Sequence, residues 1–228
     1  MSLQFIIGSS GIGKTHYACE QIIRESMENP QHLYYIIVPE QFTMQTQKNV
    51  VEMHPGKGIL NIDVLSFQRL AYRIFEETGG AREVLLDDTG KSMVLQKLVQ
   101  QHRKNLPYLG SQMNKPGYLD EVKSLISEFM QYDIREEELQ DMLGKTGEDS
   151  LLHMKMQDVG VLYQAFLQYL EGHYMTGEGV MDALKKAIPF SDKMKKSVLL
   201  LDGFTGFTPV QMNVIRELLN VCDKVLVT

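Results

Sequence analysis

Cysteine is scarce in this chain, and its scarcity excludes two classes of small domain. Cys19 and Cys222 are the only cysteines among 228 residues, and they lie far apart. A disulfide scaffold or a structural zinc site needs cysteines or histidines at close, regular spacings. No apolar run is long enough to span a bilayer, and the first one lacks the basic flank of a secretory signal. We therefore expect a protein of the reducing cytoplasm that has no membrane partner.

Positive charge is also in short supply. The chain carries 23 Lys and Arg against 29 Asp and Glu, for a formal net charge of −6 at pH 7. An acidic balance gives no general attraction to nucleic acid, so any contact with DNA has to come from a local set of side chains. The length fits one α/β domain, or one such domain that carries an insertion.

Short apolar runs alternate with amphipathic stretches at both ends of the chain. The runs near residues 3–7, 33–38, 59–64, 197–201 and 225–227 predict buried strands, and the stretches between them predict helices. Strands that alternate with helices through short connections form a parallel sheet with helices on its faces. The last run stops where the sequence stops, which indicates a piece of a longer protein.

The middle of the chain has a different character, because strand patterns are missing and helical periodicity dominates. Apolar residues recur at spacings of three and four in two stripes, within residues 119–130 and 159–170. We predict an all-helical inserted subdomain over residues 83–190. Residues 1–82 and 191–228 are then the two parts of the α/β domain.

Residues 8–15 read GSSGIGKT and match the pattern G-x-x-x-x-G-K-[ST]. They follow a predicted strand and precede a predicted helix, which is the setting of a phosphate-binding loop. We expect the Lys14 ammonium to reach the β- and γ-phosphates of a nucleotide and the Thr15 hydroxyl to hold Mg²⁺. The predicted fold class is therefore an α/β P-loop NTPase. The predicted nucleotide-binding residues are Gly8, Ser9, Ser10, Gly11, Ile12, Gly13, Lys14 and Thr15.

A carboxylate on a neighbouring strand completes the Mg²⁺ shell of such sites. Asp202 follows the apolar run SVLLL and is the candidate second metal ligand beside Thr15. In many motor ATPases the next residue is a glutamate that orients or deprotonates the attacking water. Here that residue is Gly203, which has no side chain to act as a base. The sequence thus predicts binding of ATP and Mg²⁺ with weak or absent hydrolysis, and no catalytic residue.

Four stretches of this sequence resemble motifs of superfamily 1 helicases of the UvrD and Rep type, and most specifically the N-terminal region of the AddB family. They occur in the family's order and at its separations, and together they span nearly the whole chain. The glycine loop alone is unspecific, whereas the set is specific. The stretches are GSSGIGKT, VPEQFT, VLSFQRLAYRIFEETGG and LDGFTGFTPVQ.

The last stretch carries the most informative departures from the helicase pattern. Laid against the motif D-E-F-Q-D-T-N-x-x-Q, it matches at Asp202, Phe204 and Gln211 and departs at Gly203 and at residues 205–208. The departure at Gly203 removes the motor's glutamate. The resemblance therefore supports a helicase-like region whose motor function has been lost.

The resemblance implies a RecA-like sheet and a role in AddAB, a bacterial ATP-dependent helicase and deoxyribonuclease. That complex processes DNA double-strand ends for recombination repair. The motor subunit AddA is the implied partner, and the AddB region is implied to read the Chi sequence in single-stranded DNA. The family's iron–sulfur cluster belongs to a C-terminal nuclease domain, which these residues do not include. We therefore expect this chain to bind ATP without motor or nuclease activity of its own.

The same resemblance assigns positions that contact DNA. Gln41 and Thr43 follow the second predicted strand, and Phe67, Arg69 and Tyr72 lie at the start of a later helix. Amide, hydroxyl and guanidinium groups bind base edges or phosphates, and aromatic rings stack on unpaired bases. A core role for the two aromatic residues, and a helix-cap role for the pair at 41 and 43, stay open at this point.

Two other functions are compatible with the glycine loop. A small-molecule or nucleoside kinase would carry an arginine-rich lid, and the predicted insertion contains few arginines. A structural subunit with a vestigial site would not need Lys14 and Thr15, which are both intact. We therefore favour a helicase-like region that binds nucleotide and single-stranded DNA.

Overall fold

The computed structural model describes residues 2–80, 83–112, 115, 117–147 and 150–228. The chain divides into two compact units, one formed by Met1–Ala81 with Met181–Thr228 and the other by Arg82–Val180. The sequence predicts the inserted subdomain at residues 83–190, and these limits stay predictions. The predicted limit at residue 82 lies outside the described residues.

The elements of the described residues follow one another in an order that begins and ends with strands of the first unit. The strands are β1 (Ser2–Phe5), β2 (Leu33–Ile37), β3 (Ile62–Leu65), β4 (Val84–Leu85), β5 (Tyr174–Met175), β6 (Ser197–Leu201) and β7 (Lys224–Val227). The α-helices are α1 (Lys14–Glu28), α2 (Thr43–Met53), α3 (Phe67–Thr78), α4 (Asp88–His102), α5 (Leu109–Gln112), α6 (Tyr118–Gln131), α7 (Glu136–Gly144), α8 (Leu151–Leu170), α9 (Gly177–Ala187), α10 (Asp192–Lys195) and α11 (Pro209–Val221).

A five-stranded parallel sheet forms the centre of the first unit. Its strand order is β1-β7-β6-β2-β3, and each neighbouring pair is parallel. All five residues of β6 are buried, because both faces of the sheet are covered by helices. On one face, Ala18 and Ile22 of α1 share a core cluster with Ile36 and Leu200. The predicted α/β class with a parallel sheet is therefore confirmed, and it is consistent with a Rossmann- or RecA-like fold.

Strand β1 differs from its prediction as a buried strand. It lies at the edge of the sheet and hydrogen-bonds only to β7 among the described strands. Its side chains are exposed, and Leu3 and Phe5 have 45% and 61% of their surface accessible. Strand β3, at the opposite edge of the sheet, is mostly buried because it packs against α2 and α3. The exposure of a strand in this sheet therefore depends on whether helices cover it, and not on its position at an edge.

The second unit has a helical core of its own. Helices α4, α6 and α8 pack against one another and bury a cluster that includes Leu95, Ile126, Leu162 and Phe166. The prediction of an all-helical segment is wrong in one respect, because β4 and β5 pair in parallel. Each of these strands has two residues, which is too short to produce an alternating pattern in the sequence.

A buried ion pair in this unit is formed by a lysine of α4 and a glutamate at the start of α9, and a serine of α6 accepts a further hydrogen bond from the lysine. The Lys91 Nζ atom of α4 lies 3.0 Å from both carboxylate oxygens of Glu178 in α9 and 3.2 Å from Ser127 Oγ in α6. The side chains of Lys91 and Glu178 are only 8% and 11% exposed. Two buried charges are tolerated here because each neutralises the other and both are hydrogen-bonded.

Replacing Lys91 with methionine is expected to lower the free energy of unfolding by about 3–5 kcal/mol, because the Glu178 carboxylate would stay buried without its partner. The matched control is Lys48→Met, since Lys48 and its partner Glu52 are 68% and 63% exposed. That change should alter the free energy by less than about 1 kcal/mol. Urea unfolding measures both, and equal effects would contradict a structural role for the buried pair.

The same pair predicts a dependence on acid pH. Burial raises the pKa of Glu178, but hydrogen bonds from its own backbone and from Lys91, with the Lys91 charge, bring it below the ordinary 4.5. A lowered folded-state pKa stabilises the fold above pH 4.5, and this contribution is lost as the pH falls through the folded value. Lys91→Met should lose this part of the acid dependence.

Candidate functional site

A glycine-rich loop, residues 6–13, connects β1 to α1 at the carboxyl edge of the sheet. Gly13 is the N-cap of α1 and has φ 93°, in the left-handed region that side chains disfavour. The glycine at this position allows the chain to turn sharply into the helix. The first backbone N–H groups of α1 therefore face the loop, where they have no partner within the helix.

Lys14 and Thr15 begin α1 and point to different partners. The Lys14 Nζ atom donates hydrogen bonds of 3.0 Å to the carbonyl oxygens of Gly8 and Ser9, so the ammonium lies against the loop. The Thr15 hydroxyl donates to Asp202 Oδ1 at 2.8 Å, across a separation of 187 residues in the chain. A positive charge and a hydroxyl–carboxylate pair thus lie side by side at the start of one helix.

Asp202 is fixed at the end of β6 by the sheet itself. Its backbone N–H donates to the Ile37 carbonyl at 3.0 Å, which continues the pairing of β6 with β2. Asp202 is buried, and its Oδ1 atom also accepts a 2.6 Å hydrogen bond from the Thr228 hydroxyl. Because parallel strands end at the same edge, Thr15, Asp202 and Thr228 converge although they are distant in sequence.

A cavity of about 810 Å³ opens over this edge of the sheet. The volume lies within the range of small-molecule sites, roughly 300–1,000 Å³. The lining includes the glycine loop, Asp202 and the residues that follow it, and part of α2. The start of α1 and the end of β6 therefore face a space large enough for an organic ligand.

The oxygen donors in this cavity fit a hard cation such as Mg²⁺. Thr15 Oγ1 and Asp202 Oδ1 both line it. Within the residues that the structure describes, no group of three histidine, cysteine, aspartate or glutamate side chains could hold a metal. Mg²⁺ commonly takes one or two protein ligands and completes its octahedron with phosphate oxygens and water. The pair can therefore hold Mg²⁺ only together with such additional ligands.

Cys19 also lines the cavity, but its thiol is unreactive at neutral pH. Burial, and to a smaller extent the negative charge of Asp202, raise the pKa of its thiol to about 12. The thiolate is the nucleophilic form of cysteine, and it is scarce at neutral pH when the pKa is so high. Cys19 is therefore a packed core residue of α1 and not a reactive group.

The loop after Asp202 turns through Gly203 into an aromatic cluster. Gly203 has φ 75°, again in the left-handed region. The Phe204 ring that follows packs against Phe67 at 5.6 Å and Phe207 at 4.8 Å between ring centroids. The chain thus leaves β6 by a sharp turn, and the aromatic cluster fixes the loop beside α3.

Two of the five predicted DNA-contacting residues are buried. Thr43 is 3% exposed, and its hydroxyl donates to the Glu40 carbonyl at 2.9 Å. Phe67 is 5% exposed within the aromatic cluster. A buried side chain cannot stack on a base or reach a phosphate, so we withdraw these two residues from the candidate interface.

The other three predicted residues are exposed and share a surface. Arg69 Nε lies 3.3 Å from Glu40 Oε1, and this ion pair joins α3 to the 3-10 turn that contains Gln41. Tyr72, on the same helix as Arg69, is 40% exposed. Their role in binding DNA stays a prediction, but the geometry permits it.

The structure also brings residues to these surfaces that the sequence did not single out. Phe42 and Met44 are 49% and 80% exposed beside Gln41. Thr46 and Asn49 of α2 line the cavity. The position of Phe42 between two predicted contacts was a usable signal, whereas Thr46 and Asn49 belong to no motif.

Comparison with known proteins identifies the relatives of this chain. The family model described as "ADDB, N-terminal" matches residues 5–228. Proteins named as subunits of an ATP-dependent helicase/deoxyribonuclease are similar over 99–100% of this chain. The identity is 46% in Lachnoclostridium phytofermentans, 32% in Alkaliphilus metalliredigens and 34% in Desulforamulus reducens. The chain spans about a fifth of the length of these relatives, 20% in each case.

Over the part of the chain that the structure describes, no helix combines the length and apolarity that crossing a membrane requires.

Gly203 provides a test of how the loop after Asp202 is built. Gly203→Ala should lower the free energy of unfolding by about 1–2 kcal/mol, because a side chain is strained in the left-handed region. The added Cβ would meet only Pro39 Cδ, at 3.7 Å, so no clash adds to the strain. The control is Gly206→Ala, whose Cβ would meet nothing within 4 Å and whose φ is not left-handed. Equal results for the two variants in urea unfolding would refute the strain argument.

Proposed function

Because the chain belongs to the AddB family, we propose that it is the part of a helicase–nuclease subunit that holds ATP with Mg²⁺ and reads single-stranded DNA. In this proposal the sheet is that of a RecA-like P-loop domain. The relatives are named as one subunit of an ATP-dependent helicase/deoxyribonuclease, which implies a partner subunit in those proteins. We take that partner to be the motor subunit AddA, in a complex that processes double-strand ends for recombination repair.

The observation that carries the nucleotide proposal is the 2.8 Å hydrogen bond from Thr15 Oγ1 to Asp202 Oδ1. The Mg²⁺ sites of P-loop proteins use this pair of residue types, a hydroxyl from the loop and a carboxylate from another strand. The hydroxyl and carboxylate are adjacent before any metal binds. Bound Mg²⁺ would supply charge neutralisation for the phosphates, and Thr15 and Asp202 would position it.

The glycine loop would hold the phosphates themselves. Free backbone N–H groups at the start of α1, together with the positive end of the helix, favour a negatively charged group there. The Lys14 ammonium now donates to two loop carbonyls, and it would exchange these bonds for stronger ones to phosphate oxygens. Binding of a nucleotide therefore needs no rearrangement of the sheet.

Hydrolysis is not part of the proposed function. A water that attacks the terminal phosphate needs a group to orient it or accept its proton. At the position after Asp202, where motor ATPases carry such a group, Gly203 has no side chain. We propose that the nucleotide acts here as a ligand, and that this chain has neither motor nor nuclease activity by itself.

The surface for single-stranded DNA is proposed from exposed side chains at the ends of β2 and β3. Gln41 offers an amide, Arg69 a guanidinium, and Tyr72 and Phe42 offer rings that are 40% and 49% exposed. Base stacking and phosphate contact are the two interactions that sequence-tolerant single-strand sites combine. Recognition of one DNA sequence, such as Chi, would add base-edge contacts through Gln41.

Nucleotide binding is tested with Lys14→Ala. We expect this variant to bind Mg·ATP at least about tenfold more weakly, because a hydrogen bond to a charged group contributes about 1.5–3 kcal/mol. Lys195→Ala is the control, since Lys195 is 50% exposed, pairs with the exposed Asp192 and does not line the cavity. Titration calorimetry measures both, and phosphate release reports hydrolysis.

Three outcomes would contradict the nucleotide proposal. If the unchanged chain and Lys14→Ala bind Mg·ATP with equal affinity, or if neither binds it, the proposed nucleotide site is wrong. Steady phosphate release at ordinary motor rates contradicts the role given to Gly203. Transfer of phosphate to a nucleoside or metabolite would favour a kinase.

Single-strand binding is tested with Arg69→Ala and Tyr72→Ala. Loss of the arginine should weaken binding of a labelled oligonucleotide and lower the slope of log K against log salt by roughly 0.7. Loss of the ring should cost about 1–3 kcal/mol with little change in that slope. Arg216→Ala is the control, because Arg216 is exposed on α11 and donates a hydrogen bond to Asn213 of the same helix. The DNA role would be contradicted if the affinity were the same at all salt concentrations, for single-stranded and duplex DNA, and for both variants.

A further inference from the structure

The cavity over the glycine loop extends to one polar face of α2. Thr46, Asn49 and Met53 of this helix all line the cavity together with Asp202 and Gly203. Their spacings of three and four residues place them on the same side of the helix. Helix α2 therefore forms a wall of the same space that the glycine loop opens into.

The order of the strands indicates which part of a nucleotide this wall would meet. The glycine loop follows β1, Asp202 follows β6, and the segment that leads into α2 follows β2, next to β6. Thr15 and Asp202 would hold Mg²⁺ in the proposed site, and the ion would supply positive charge to the phosphates. A terminal phosphate near Asp202 would therefore lie on the side of the cavity that α2 forms.

Asn49 is an exposed residue that lines this space and has a free amide donor. Its Oδ1 atom accepts a 2.7 Å hydrogen bond from Gln45 Nε2, so its Nδ2 group is left to donate elsewhere. No residue in the described ranges accepts a hydrogen bond from that group. An amide N–H with no protein acceptor, in a cavity beside a lysine and a metal-binding pair, is suited to a phosphate oxygen.

The one acidic side chain on this face does not oppose an anion strongly. Glu52 lines the cavity, but its side chain is 63% exposed and its Oε1 atom lies 3.8 Å from Lys48 Nζ. Solvent and the neighbouring ammonium both weaken its field at the centre of the cavity. The hydroxyl of Thr46 adds a second group that can donate to phosphate.

We propose that Asn49, assisted by Thr46, contacts the terminal phosphate of a bound nucleoside triphosphate and so determines a preference for triphosphate over diphosphate. This inference rests on the proposed nucleotide site. It assigns to α2 a contact that Gly203, which has no side chain, cannot make. The preference is a property of binding and needs no hydrolysis.

The test is Asn49→Asp, which keeps the shape and the acceptor for Gln45 but replaces the donor with a negative charge. We expect binding of a non-hydrolysable Mg·ATP analogue to weaken by roughly tenfold or more, because a charge-assisted hydrogen bond is exchanged for repulsion. Binding of Mg·ADP, which lacks the terminal phosphate, should change by less than about twofold. The matched control is Gln47→Glu, which adds the same charge to α2 at an exposed position outside the cavity lining.

The outcomes separate this inference from the proposed function. The contact is supported if Asn49→Asp binds the ATP analogue more weakly but binds Mg·ADP as before, and if Gln47→Glu binds both as the unchanged chain does. Equal weakening of both nucleotides, or no difference between the two variants, overturns the contact while leaving nucleotide binding in place. Failure of the unchanged chain to bind either nucleotide overturns the proposed function, and the contact with it.

Discussion

The parallel register between β2 and β6 is the constraint on which the candidate site depends. Ile37 pairs with Leu201, and the Ile37 carbonyl accepts the backbone N–H of Asp202, so the carboxylate is placed at the edge of the sheet by backbone pairing alone. The Thr15 hydroxyl meets it there at 2.8 Å. A shift of one residue would turn Asp202 to the other face and separate the pair. The sheet therefore acts as a positioning device for side chains that are distant along the chain.

Much of this arrangement could be predicted from the sequence, because strands buried on both faces have continuous apolar runs. The runs in β2 and β6 show this directly. The exposure of β1 could not be predicted, since the sequence of a strand does not show whether helices will cover it. Strand β3 also lies at an edge and is buried. The pairing of β4 with β5 was missed because two residues carry no periodicity.

The candidate site divides in the same way. The glycine loop, Lys14 and Asp202 could be predicted because phosphate and metal chemistry demand particular residue types at particular spacings. Asn49 and Thr228 approach the site through tertiary structure only, and no local pattern marks them. The burial of Phe67 depends on Phe204, which is distant in sequence. An aromatic residue at a helix start is compatible with either packing or stacking until its neighbours are known.

At Gly203 the backbone conformation, as well as the side chain, differs from what a catalytic glutamate would adopt. The residue adopts φ 75°, so a glutamate placed there would have to accept a left-handed backbone or reshape the loop that leads to Phe204. That loop packs through Phe204 on Phe67 at the start of α3, the helix that carries Arg69 and Tyr72. Restoring a base would therefore disturb the element that supports the proposed DNA surface. In the proposed function, the loop after Asp202 supports α3, the helix that contacts single-stranded DNA. In a motor ATPase, the residue at the position of Gly203 would instead orient the attacking water.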